Sequence, residues 1–524
     1  MTRPAPSILA TLVGMISLSL CLQAQAQSTT TDAEAAPQAP SNYRIIIAEP
    51  QTPSSAGMQD VEKRLDHVSK ILETMAETMA AKGTAPASTA AAAEPAGSAA
   101  PTAAASSVTA EMLQIVQDHS SYVWALLGGI LVFNMQAGFA MLELGVCRAK
   151  NSINVLMKNY LDFCIGSIVY LLIGFNIQFG SSWMGILGLD STWLPNFGAE
   201  HKVWVFWFFQ VGFASVACTI VSGAIAERTK FMGYLIYSAL FTVLIYPITG
   251  HWAWGGAGGS WGMAGDKGWL EAMGFIDFAG SSVVHACGGA CALAGVIVVG
   301  PRVGRFAKDG TPRIIAGHNL PLAALGALLL WFGWFGFNAG STLAANDAMG
   351  RIAVNTLISP SAGAVFAMIA MWLAQGKSDV GIAINGSLGG AVGITACCAN
   401  ISPASALVVG AVAGLLTTGA TILLERLRLD DVAGAVPVHL VNGLWGTLSV
   451  ALFDEKGFDA GRLGVQALGT FSVAAFSFVA GFAIFKLIDL TVGLRASEEE
   501  QLDGLDFSEH AVNAYPDFQT SERA

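Results

Sequence analysis

The stretch DFAGSSVVH at residues 277–285 returns as DVAGAVPVH at residues 431–439. In both copies an aspartate precedes a histidine by eight residues, Asp277 with His285 and Asp431 with His439, and each copy opens a long apolar segment. Eight residues of helix rise about 12 Å, which reaches from a membrane surface towards its middle. Ionisable side chains at that depth are costly and usually line a pathway. The repeat therefore predicts a membrane fold with two functional histidines in its interior.

The composition of the whole chain agrees with a membrane protein. Of its 524 residues 53% are hydrophobic and only 12% are charged, and the mean hydropathy is +0.56. Soluble domains carry about 25% charged residues. The net charge of −11 comes from acids outside the apolar segments, and no basic stripe indicates nucleic-acid binding. The 59 glycines are typical of close helix packing in lipid.

The N-terminal segment has the features of a secretory signal peptide. Arg3 precedes an apolar run at 8–22, and Ala24-Gln25-Ala26 resembles a cleavage site. We therefore predict that residues 1–26 are removed and that the mature chain begins outside the cytoplasm, in the periplasm. The alternative is an uncleaved first membrane helix.

Three further segments precede the membrane domain. Residues 27–57 are polar and rich in proline, which predicts disorder. Residues 58–80 carry apolar side chains at spacings of three and four, which favours a self-associating coiled coil over a solitary amphipathic helix on the membrane. Residues 81–114, rich in Ala, Pro, Ser and Thr, are predicted to be a linker. We expect the membrane domain at 115–491 and an acidic tail at 492–524.

The membrane domain is predicted to be all-α with eleven transmembrane helices. The expected spans are 120–146, 152–178, 203–226, 231–251, 279–299, 318–340, 349–374, 380–398, 403–425, 432–453 and 464–489. With the N-terminus outside, the basic residues of the cytoplasmic loops are Arg148, Lys150, Arg228, Lys230, Arg302, Arg305, Lys308, Arg313, Lys377, Arg426 and Arg428. The outer loops hold fewer, namely Lys202, Lys267, Arg351, Lys456 and Arg462. This bias predicts an inner-membrane protein with a cytoplasmic C-terminus.

This topology makes the two nonapeptides an inverted pair. Asp277 starts a span from the outer face and Asp431 starts one from the inner face, so that His285 and His439 meet near the middle. We infer an inverted five-plus-five repeat with the site at its interface. Both aspartates are interpreted first as helix caps, and Asp277 is the better candidate for an additional, indirect electrostatic role. A metal site using Cys287 and Cys291 is disfavoured because the tenth span supplies no further ligand, and no cofactor is predicted.

Aromatic residues cluster towards the predicted outer ends of several spans. Phe209 and Phe213 share a helix face, and Trp334 and Phe337 share another with Ser341 one turn further on. Aromatic stripes in membrane helices are usually core or interfacial belts. Ring faces also attract cations, and a hydroxyl can accept an N–H bond. A weak cation site without a carboxylate is therefore a second interpretation.

The chain resembles the Amt/Mep/Rh ammonium transporter family, on the bacterial Amt side. The matching motifs occur in order: ERTKF (227–231), DFAG…VVH (277–285), HNLP (318–321), GFNAGS (336–341), the DD…H pattern (430–439) and the tail DLTVGLR…HAVNAY (489–515). The likeness covers about 115–515. It implies eleven helices and a pore in each subunit of a homotrimer.

The resemblance also implies roles for individual positions. The implied outer ammonium site consists of Phe213, Trp254 and Ser341, with Phe209 nearby. Phe213 and Phe337 match the gate rings, and His285 and His439 match the histidine pair of the lumen. Asp277 matches an acidic residue that supports cation recognition, while Tyr246 and Trp334 match aromatics beside the lumen.

The function expected from these residues is ammonium transport and not enzymatic catalysis. NH4+ would be recruited and deprotonated, NH3 would cross the apolar lumen, and the histidine pair would relay the proton. The alternatives are an ammonium sensor with little flux and a passive NH3 or CO2 channel of the Rh type. The resemblance further implies that the tail packs across subunits, controls transport and takes part in docking a PII-type signalling protein.

Overall fold

The computed structural model describes Lys70, residues 103–189 and residues 201–518. From Ala103 onward these residues belong to one compact unit, Ala99–Ala524. The predicted signal peptide 1–26 and the segment 27–57 lie outside the described residues. So do all of 58–80 except Lys70, and the linker up to residue 102.

The described residues are almost entirely helical. The α-helices are α1 Ala103–Val146, α2 Ser152–Val169, α3 Phe175–Phe179, α4 Lys202–Ile225, α5 Phe231–Leu240, α6 Tyr246–Trp254, α7 Trp269–Ala272, α8 Cys287–Val299, α9 Leu320–Gly340, α10 Ala348–Gln375, α11 Val380–Thr395, α12 Pro403–Arg426, α13 Asn442–Leu452, α14 Ala460–Thr491, α15 Glu498–Asp503 and α16 Leu505–His510. Three-residue or longer 3-10 turns lie at Ala149–Asn151, Gly255–Trp261 and Pro516–Phe518.

Nine helical stretches among the described residues are long and apolar enough to cross a membrane. They are Glu111–Val146, Ala149–Phe179, Lys202–Ile225, Phe231–Trp261, Ser281–Val299, Leu320–Gly340, Ala348–Gln375, Pro403–Arg426 and Ala460–Thr491. Two shorter apolar helices, Val380–Thr395 and Val436–Leu452, fall on the predicted spans 380–398 and 432–453. The prediction of a multi-pass helical membrane protein is confirmed at this level.

Two local features differ from the expectation. Helix α1 begins at Ala103, so residues 103–114 belong to a helix and not to the predicted linker 81–114. Alanine has the highest helix propensity, and Ala103, Ala104 and Ala105 continue without a break into the apolar span. The chain is also not purely α-helical, because β1 Ser182–Trp183 and β2 Leu187–Gly188 form a small antiparallel hairpin after α3.

In the described part of the chain, four π-helical turns interrupt the apolar helices, at Tyr170–Gly174, Phe241–Ile245, Ser281–Ala286 and Val436–Val441. The last two contain His285 and His439. A π-turn widens the helix by one residue and often marks a functional site. The two copies of the repeat thus share a π-helical turn as well as several residues.

Glycines allow α1 and α9 to lie against each other. A Cβ added to Gly145 would come 2.4 Å from the backbone nitrogen of Ala323, and one added to Gly326 would come 2.3 Å from that of Leu142. Real Cβ atoms do not approach other atoms so closely. The abundance of glycine therefore serves backbone-to-backbone packing between these membrane helices.

The acidic tail folds back onto its own chain. Ser497 caps α15 in a capping box with Glu500, and α16 follows after Gly504. The carboxylate of Asp506 accepts a 2.8 Å bond from the backbone nitrogen of Asn154, and Glu509 accepts a 2.9 Å bond from that of Phe231. The described part of the tail is therefore ordered against the starts of α2 and α5. We call this end of the molecule the tail end.

Candidate functional site

The two repeated histidines meet inside the membrane domain. His285 Nδ1 and His439 Nδ1 lie 3.1 Å apart, so one ring donates a hydrogen bond to the other. The rings are nearly parallel, with centroids 5.2 Å apart and an interplanar angle of 27°. His285 is fully buried and His439 is 5% exposed. The structure thus brings together the pair that the repeat predicted.

The aspartate of each repeat caps the helical turn that carries its histidine. Asp277 accepts bonds of 3.0, 2.9 and 2.8 Å from the backbone nitrogens of Gly280, Ser282 and Val283. Asp431 does the same in the second copy, with bonds of 3.0, 3.0 and 2.7 Å from the nitrogens of residues 434, 435 and 436. These bonds satisfy amides that have no partner within the helix.

The glycine of each repeat has a backbone that other residues rarely adopt. Gly280 has φ of +111° and Gly434 has φ of +77°. Both occur between the capping aspartate and the π-turn, where the chain reverses into the helix. An L-residue with a side chain would be strained there. The shared Asp-x-x-Gly spacing therefore produces the same capped turn in both copies of the repeat.

A second glycine follows each histidine by four residues and lets the two segments approach. A Cβ on Gly289 would lie 2.3 Å from the backbone nitrogen of Leu440, next to His439. A Cβ on Gly443 would lie 2.4 Å from the backbone oxygen of Ser281, close to His285. Each glycine thus makes room for the start of the opposite segment, which allows the imidazoles to reach hydrogen-bonding distance.

Aromatic rings continue the stack on one side of the histidine pair. Phe337 lies against His285 with centroids 5.4 Å apart, and Phe213 lies against Phe337 at 4.1 Å and an angle of 26°. Trp334 also stacks on His285, at 5.3 Å. Phe213 and Phe337 are buried and in face contact, so they close the space between the histidines and the residues beyond them.

Beyond this ring pair lies a small cavity, which we call the aromatic cavity. It measures about 80 Å³, which is enough for a small molecule the size of water or ammonium. Its lining comprises Phe209, Gln210, Phe213, Trp254, Ala257, Phe278, Ser341 and Leu343. All four residues predicted for a cation site, Phe209, Phe213, Trp254 and Ser341, therefore share one cavity. Gln210 and Phe278 were not predicted.

Two hydrogen bonds hold the polar edges of this cavity. The Ser341 hydroxyl donates a 2.7 Å bond to the backbone oxygen of Phe337, so its oxygen keeps lone pairs to accept a further bond. The indole of Trp254 donates a 2.7 Å bond to the backbone oxygen of Asp277. Ring faces and a hydroxyl oxygen around one small space suit a cation that carries N–H groups.

The remaining predicted residues lie at different distances from this site. Trp334 donates a 2.9 Å bond to the hydroxyl of Thr395 and stacks on His285. The ring of Tyr246 packs between Tyr170 and Phe241, with centroids 6.3 and 6.4 Å away. Trp334 is thus in direct contact with the histidine pair, and Tyr246 belongs to a neighbouring aromatic cluster.

A second space, the histidine cavity, adjoins His439. It measures about 20 Å³, room for about one water-sized molecule. Its lining comprises Phe139, Leu142, Glu143, Ile220, Gly223, Asn385, Leu388, Ala433, Gly434, Ala435, Val438 and His439. Glu143 was missed in the sequence, although an acid inside an apolar span is a recognisable signal.

An ion-pair network surrounds the start of the second repeat at the tail end. Arg302 binds both carboxylate oxygens of Asp430 at 2.9 Å and reaches Glu227 at 3.0 Å. Glu227 also pairs with Arg148. Burial alone would raise the pKa of Asp430, but the guanidinium groups of Arg228 and Arg302 outweigh it and hold that pKa well below its usual range. Asp430 therefore stays ionised beside the capping residue Asp431.

The described residues contain no group of three or more His, Cys, Asp or Glu side chains that could hold a metal ion. Cys287 lies within 3.7 Å of the Thr249 hydroxyl, and Cys291 donates to the backbone oxygen of Ser477 at 3.1 Å. Both thiols therefore contact neighbouring helices.

Comparisons with known proteins place these features in a wider context. The family described as Ammonium Transporter Family matches residues 123–515. Ammonium transporter Amt2 of Archaeoglobus fulgidus is 45% identical over 428 residues, which cover 76% of this chain and 89% of the relative. Ammonium transporter Amt1 of Haloferax mediterranei is 39% identical over 424 residues, covering 77% of this chain and 81% of the relative.

Solved structures show the same fold. A protein described as Sensor Amt Protein superposes with a TM-score of 0.72 at 37% identity and covers 76% of this chain and 100% of its own. Mep2 of Candida albicans superposes with a TM-score of 0.65 at 25% identity and covers 73% of this chain and 87% of its own. The arrangement of helices described above is therefore that of the Amt and Mep structures.

Proposed function

The chain belongs to the ammonium transporter family, and from that premise we propose that it recruits NH4+ at the aromatic cavity and passes it inward as NH3 and a proton. The observation that carries the proposal is the position of the aromatic cavity. The stacked rings of Phe213 and Phe337 connect it to the histidine pair, because Phe213 lines the cavity and Phe337 lies against His285. The path inward thus leads from the aromatic cavity through the gate of Phe213 and Phe337 to the pair of imidazoles.

Recruitment rests on the rings and the hydroxyl of the aromatic cavity. Phe213 and Trp254 meet edge to face with centroids 6.2 Å apart, so they bound the space from different directions. Aromatic faces attract a desolvated cation by about 1–2 kcal/mol. Ser341 accepts one N–H bond. Because no carboxylate lines the cavity, the ion is held weakly enough to leave.

Passage beyond the gate favours the neutral molecule. A bare ion entering the ring stack would lose its hydration without gaining oxygen ligands, which is expensive in a medium of low dielectric. We propose that, when Phe213 and Phe337 part, NH4+ gives its proton to the free Nε2 of the His285 imidazole and NH3 continues inward. The imidazoles of His285 and His439 carry the proton, for which their directly bonded Nδ1 atoms are suited. K+ is rejected because it has no proton to give up.

The membrane arrangement is part of the same proposal. We propose eleven spans, made of the nine long helices and the two shorter ones, in an inverted five-plus-five repeat. The local equivalence of the two Asp-x-x-Gly…His segments supports that symmetry. The aromatic cavity faces the periplasm and the tail end faces the cytoplasm, in the inner membrane. The functional unit is a homotrimer with one pore in each subunit.

The tail supplies a second part of the proposal. Its helix α16 contacts the starts of α2 and α5. Arg495 donates bonds of 2.6 and 2.7 Å to the backbone oxygens of Val299 and Pro301. We propose that the tail regulates transport from this position and contributes to docking a PII-type protein. Removal of 495–524 is expected to change the transport rate or PII binding. If neither changes, the regulatory role is wrong.

An ammonium sensor is the second candidate. The observation that favours it is the similarity to a structure described as Sensor Amt Protein, at 37% identity. A sensor would keep the aromatic cavity and the ordered tail but carry little flux. A passive NH3 or CO2 channel would instead carry flux without charge movement.

One experiment separates these functions. Purified protein is reconstituted in liposomes, and the current evoked by NH4+ is compared with that evoked by K+. We expect an NH4+-selective current that His285→Ala reduces strongly, because the relay loses one imidazole. A matched control is His201→Ala, whose exposed ring meets Trp204 edge to face with centroids 6.4 Å apart and lines neither cavity.

The outcomes are distinct. NH3 uptake without current supports the gas channel. The absence of both current and uptake supports the sensor. An undiminished, still selective current in His285→Ala contradicts the relay while leaving ammonium transport intact.

A further inference from the structure

Glu143 lies in the interior of the membrane domain and has no part in the mechanism above. It belongs to α1, within the span Glu111–Val146, and only 2% of its surface is exposed. It lines the histidine cavity together with His439. A carboxyl group inside a membrane span is costly and usually belongs to a functional site. Its position beside the second histidine indicates which function it could serve.

A chain of hydrogen bonds orients the carboxyl group. The amide nitrogen of Asn159 donates a 2.9 Å bond to Glu143 Oε2, and the amide oxygen of Asn159 accepts a 2.9 Å bond from the Thr219 hydroxyl. The Thr219 bond identifies which end of the amide faces Glu143. Among the described residues, Glu143 forms no ion pair. Its negative form is thus supported by a neutral donor and not neutralised by a bound cation.

The basic side chain that acts on Glu143 donates its hydrogen bond to a different residue. Lys158 acts electrostatically on Glu143, but its amino group donates a 2.5 Å bond to the backbone oxygen of Thr229. A carboxyl group that has an amide donor but no salt bridge can take up and release a proton without breaking an ion pair. That property distinguishes Glu143 from Asp430 and Glu227, which are held by arginines.

Small residues opposite Glu143 keep its side chain in contact with the cavity. A Cβ on Gly223 would lie 2.8 Å from Cβ of Ala433 and 3.3 Å from the carboxyl carbon of Glu143. With glycine at this place, the carboxyl group reaches the space that His439 also lines. One water-sized molecule in that space could touch both groups.

We propose that Glu143 exchanges the proton with ammonia at the inner end of the pore, a role that rests on the proposed transport of NH3 and H+. The proton leaves the His439 imidazolium and binds the Glu143 carboxylate through one molecule in the histidine cavity. The imidazole returns to its neutral form. NH3 leaving the pore then takes that proton, so that NH4+ forms and the carboxylate is restored. No other reactant is needed.

Asp162 provides a matched control for this assignment. It is also almost fully buried, on α2, and it accepts a 2.6 Å bond from the hydroxyl of Tyr234. It does not line the histidine cavity. Asp162→Asn tests the effect of removing a buried carboxyl group from the same part of the domain. The two positions therefore separate proton exchange from packing.

The test compares Glu143→Gln and Asp162→Asn with the unmodified protein in proteoliposomes. Two quantities are measured: the NH4+-evoked current, and NH3 influx as the uptake of 15N-labelled ammonia nitrogen. Because proton transfer by a positioned side chain contributes on the order of 100-fold to a rate, we expect Glu143→Gln to lower the current by about tenfold or more. We expect its NH3 influx to be unchanged, and Asp162→Asn to retain both.

The result that overturns the assignment is an undiminished current in Glu143→Gln, or loss of current and NH3 influx together. An equal loss of current in Asp162→Asn also overturns it. If the glutamine variant does not reconstitute, Glu143→Met, which also cannot bind a proton, replaces it. A lower current with unchanged NH3 influx supports the assignment, and an undiminished current contradicts it. Absence of current in the unmodified protein contradicts the proposed transport mechanism itself.

Discussion

The indole nitrogen of Trp254 donates a 2.7 Å hydrogen bond to the backbone oxygen of Asp277, which begins the repeat containing His285. Through this bond the wall of the aromatic cavity is attached to the capped turn that holds the first histidine. The carboxylate of Asp277 meanwhile binds the amides of Ser282 and Val283. Asp277 therefore holds both a wall of the aromatic cavity and the turn that carries the imidazole, and its carboxylate does not line the cavity.

Replacing Trp254 tests the ring and the bond separately. Trp254→Leu removes both, and because a cation–ring contact is worth about 1–2 kcal/mol we expect the half-saturating NH4+ concentration of the current to rise about tenfold. Trp254→Phe keeps a ring but loses the N–H donor, so a smaller rise is expected. The control is Trp372→Leu, at a tryptophan that is 57% exposed on α10. Equal effects at positions 254 and 372 would refute a local role.

Gly289→Ala tests the close approach of the two histidine segments. The added methyl group would meet the backbone nitrogen of Leu440 at 2.3 Å, so the segments must separate. Overpacking of this kind costs about 1–3 kcal/mol. We expect a lower thermal unfolding temperature in detergent and a lower NH4+ current. At Gly419 a Cβ would meet nothing within 4 Å, so Gly419→Ala is the matched control. A stable, fully active Gly289→Ala protein would contradict the close approach.

The buried pair of Arg302 and Asp430 predicts sensitivity to acid. The pKa of Asp430 is depressed, since Arg228 and Arg302 outweigh the effect of burial. As the pH falls, position 430 therefore takes up its proton at a higher pH in the unfolded chain than in the folded chain. The stabilisation is complete above the ordinary aspartate pKa of about 4 and is lost as the pH falls below it.

Asp430→Asn checks this directly. Loss of one member of a buried pair costs about 3–5 kcal/mol, because the other charge is left uncompensated. We expect the unfolding temperature in detergent at neutral pH to fall, and less further loss on acidification than in the unmodified protein. Asp489, whose oxygen lies 3.9 Å from Lys486 at a half-exposed position, provides the control Asp489→Asn. If acidification lowers the unfolding temperature of Asp430→Asn as much as that of the unmodified protein, the pair of Arg302 and Asp430 is not the cause of the acid sensitivity.

Much of the fold could be predicted because membrane helices are encoded locally. Each span is a long apolar run, and no tertiary information is needed to recognise it. The histidine pair could also be predicted, because the repeated Asp-x-x-Gly…His spacing occurs in both halves. The aromatic cavity needed the family likeness, since rings on α4, α6 and α9 are separated by many residues in the chain.

Other features depend on tertiary contacts that a linear pattern does not contain. The π-turns at His285 and His439 are choices of hydrogen-bond register that packing decides, and apolar composition is the same in either register. The bond between Trp254 and Asp277 uses a backbone oxygen, which every residue has. Glu143 was overlooked because it lies only three residues from the end of α1, where a charged side chain normally reaches the surface.

The face contact between Phe213 and Phe337 has a bioenergetic consequence. Rings with centroids 4.1 Å apart leave no space for a water molecule between them. A continuous file of water through the membrane would let protons short-circuit the transmembrane voltage, which is worth about 2.3 kcal/mol per charge for each 100 mV. Under the proposed proton relay, the contact between the two phenylalanines would block such a file of water while the gate is closed. The cell can then keep the transporter in an energised membrane without a standing leak.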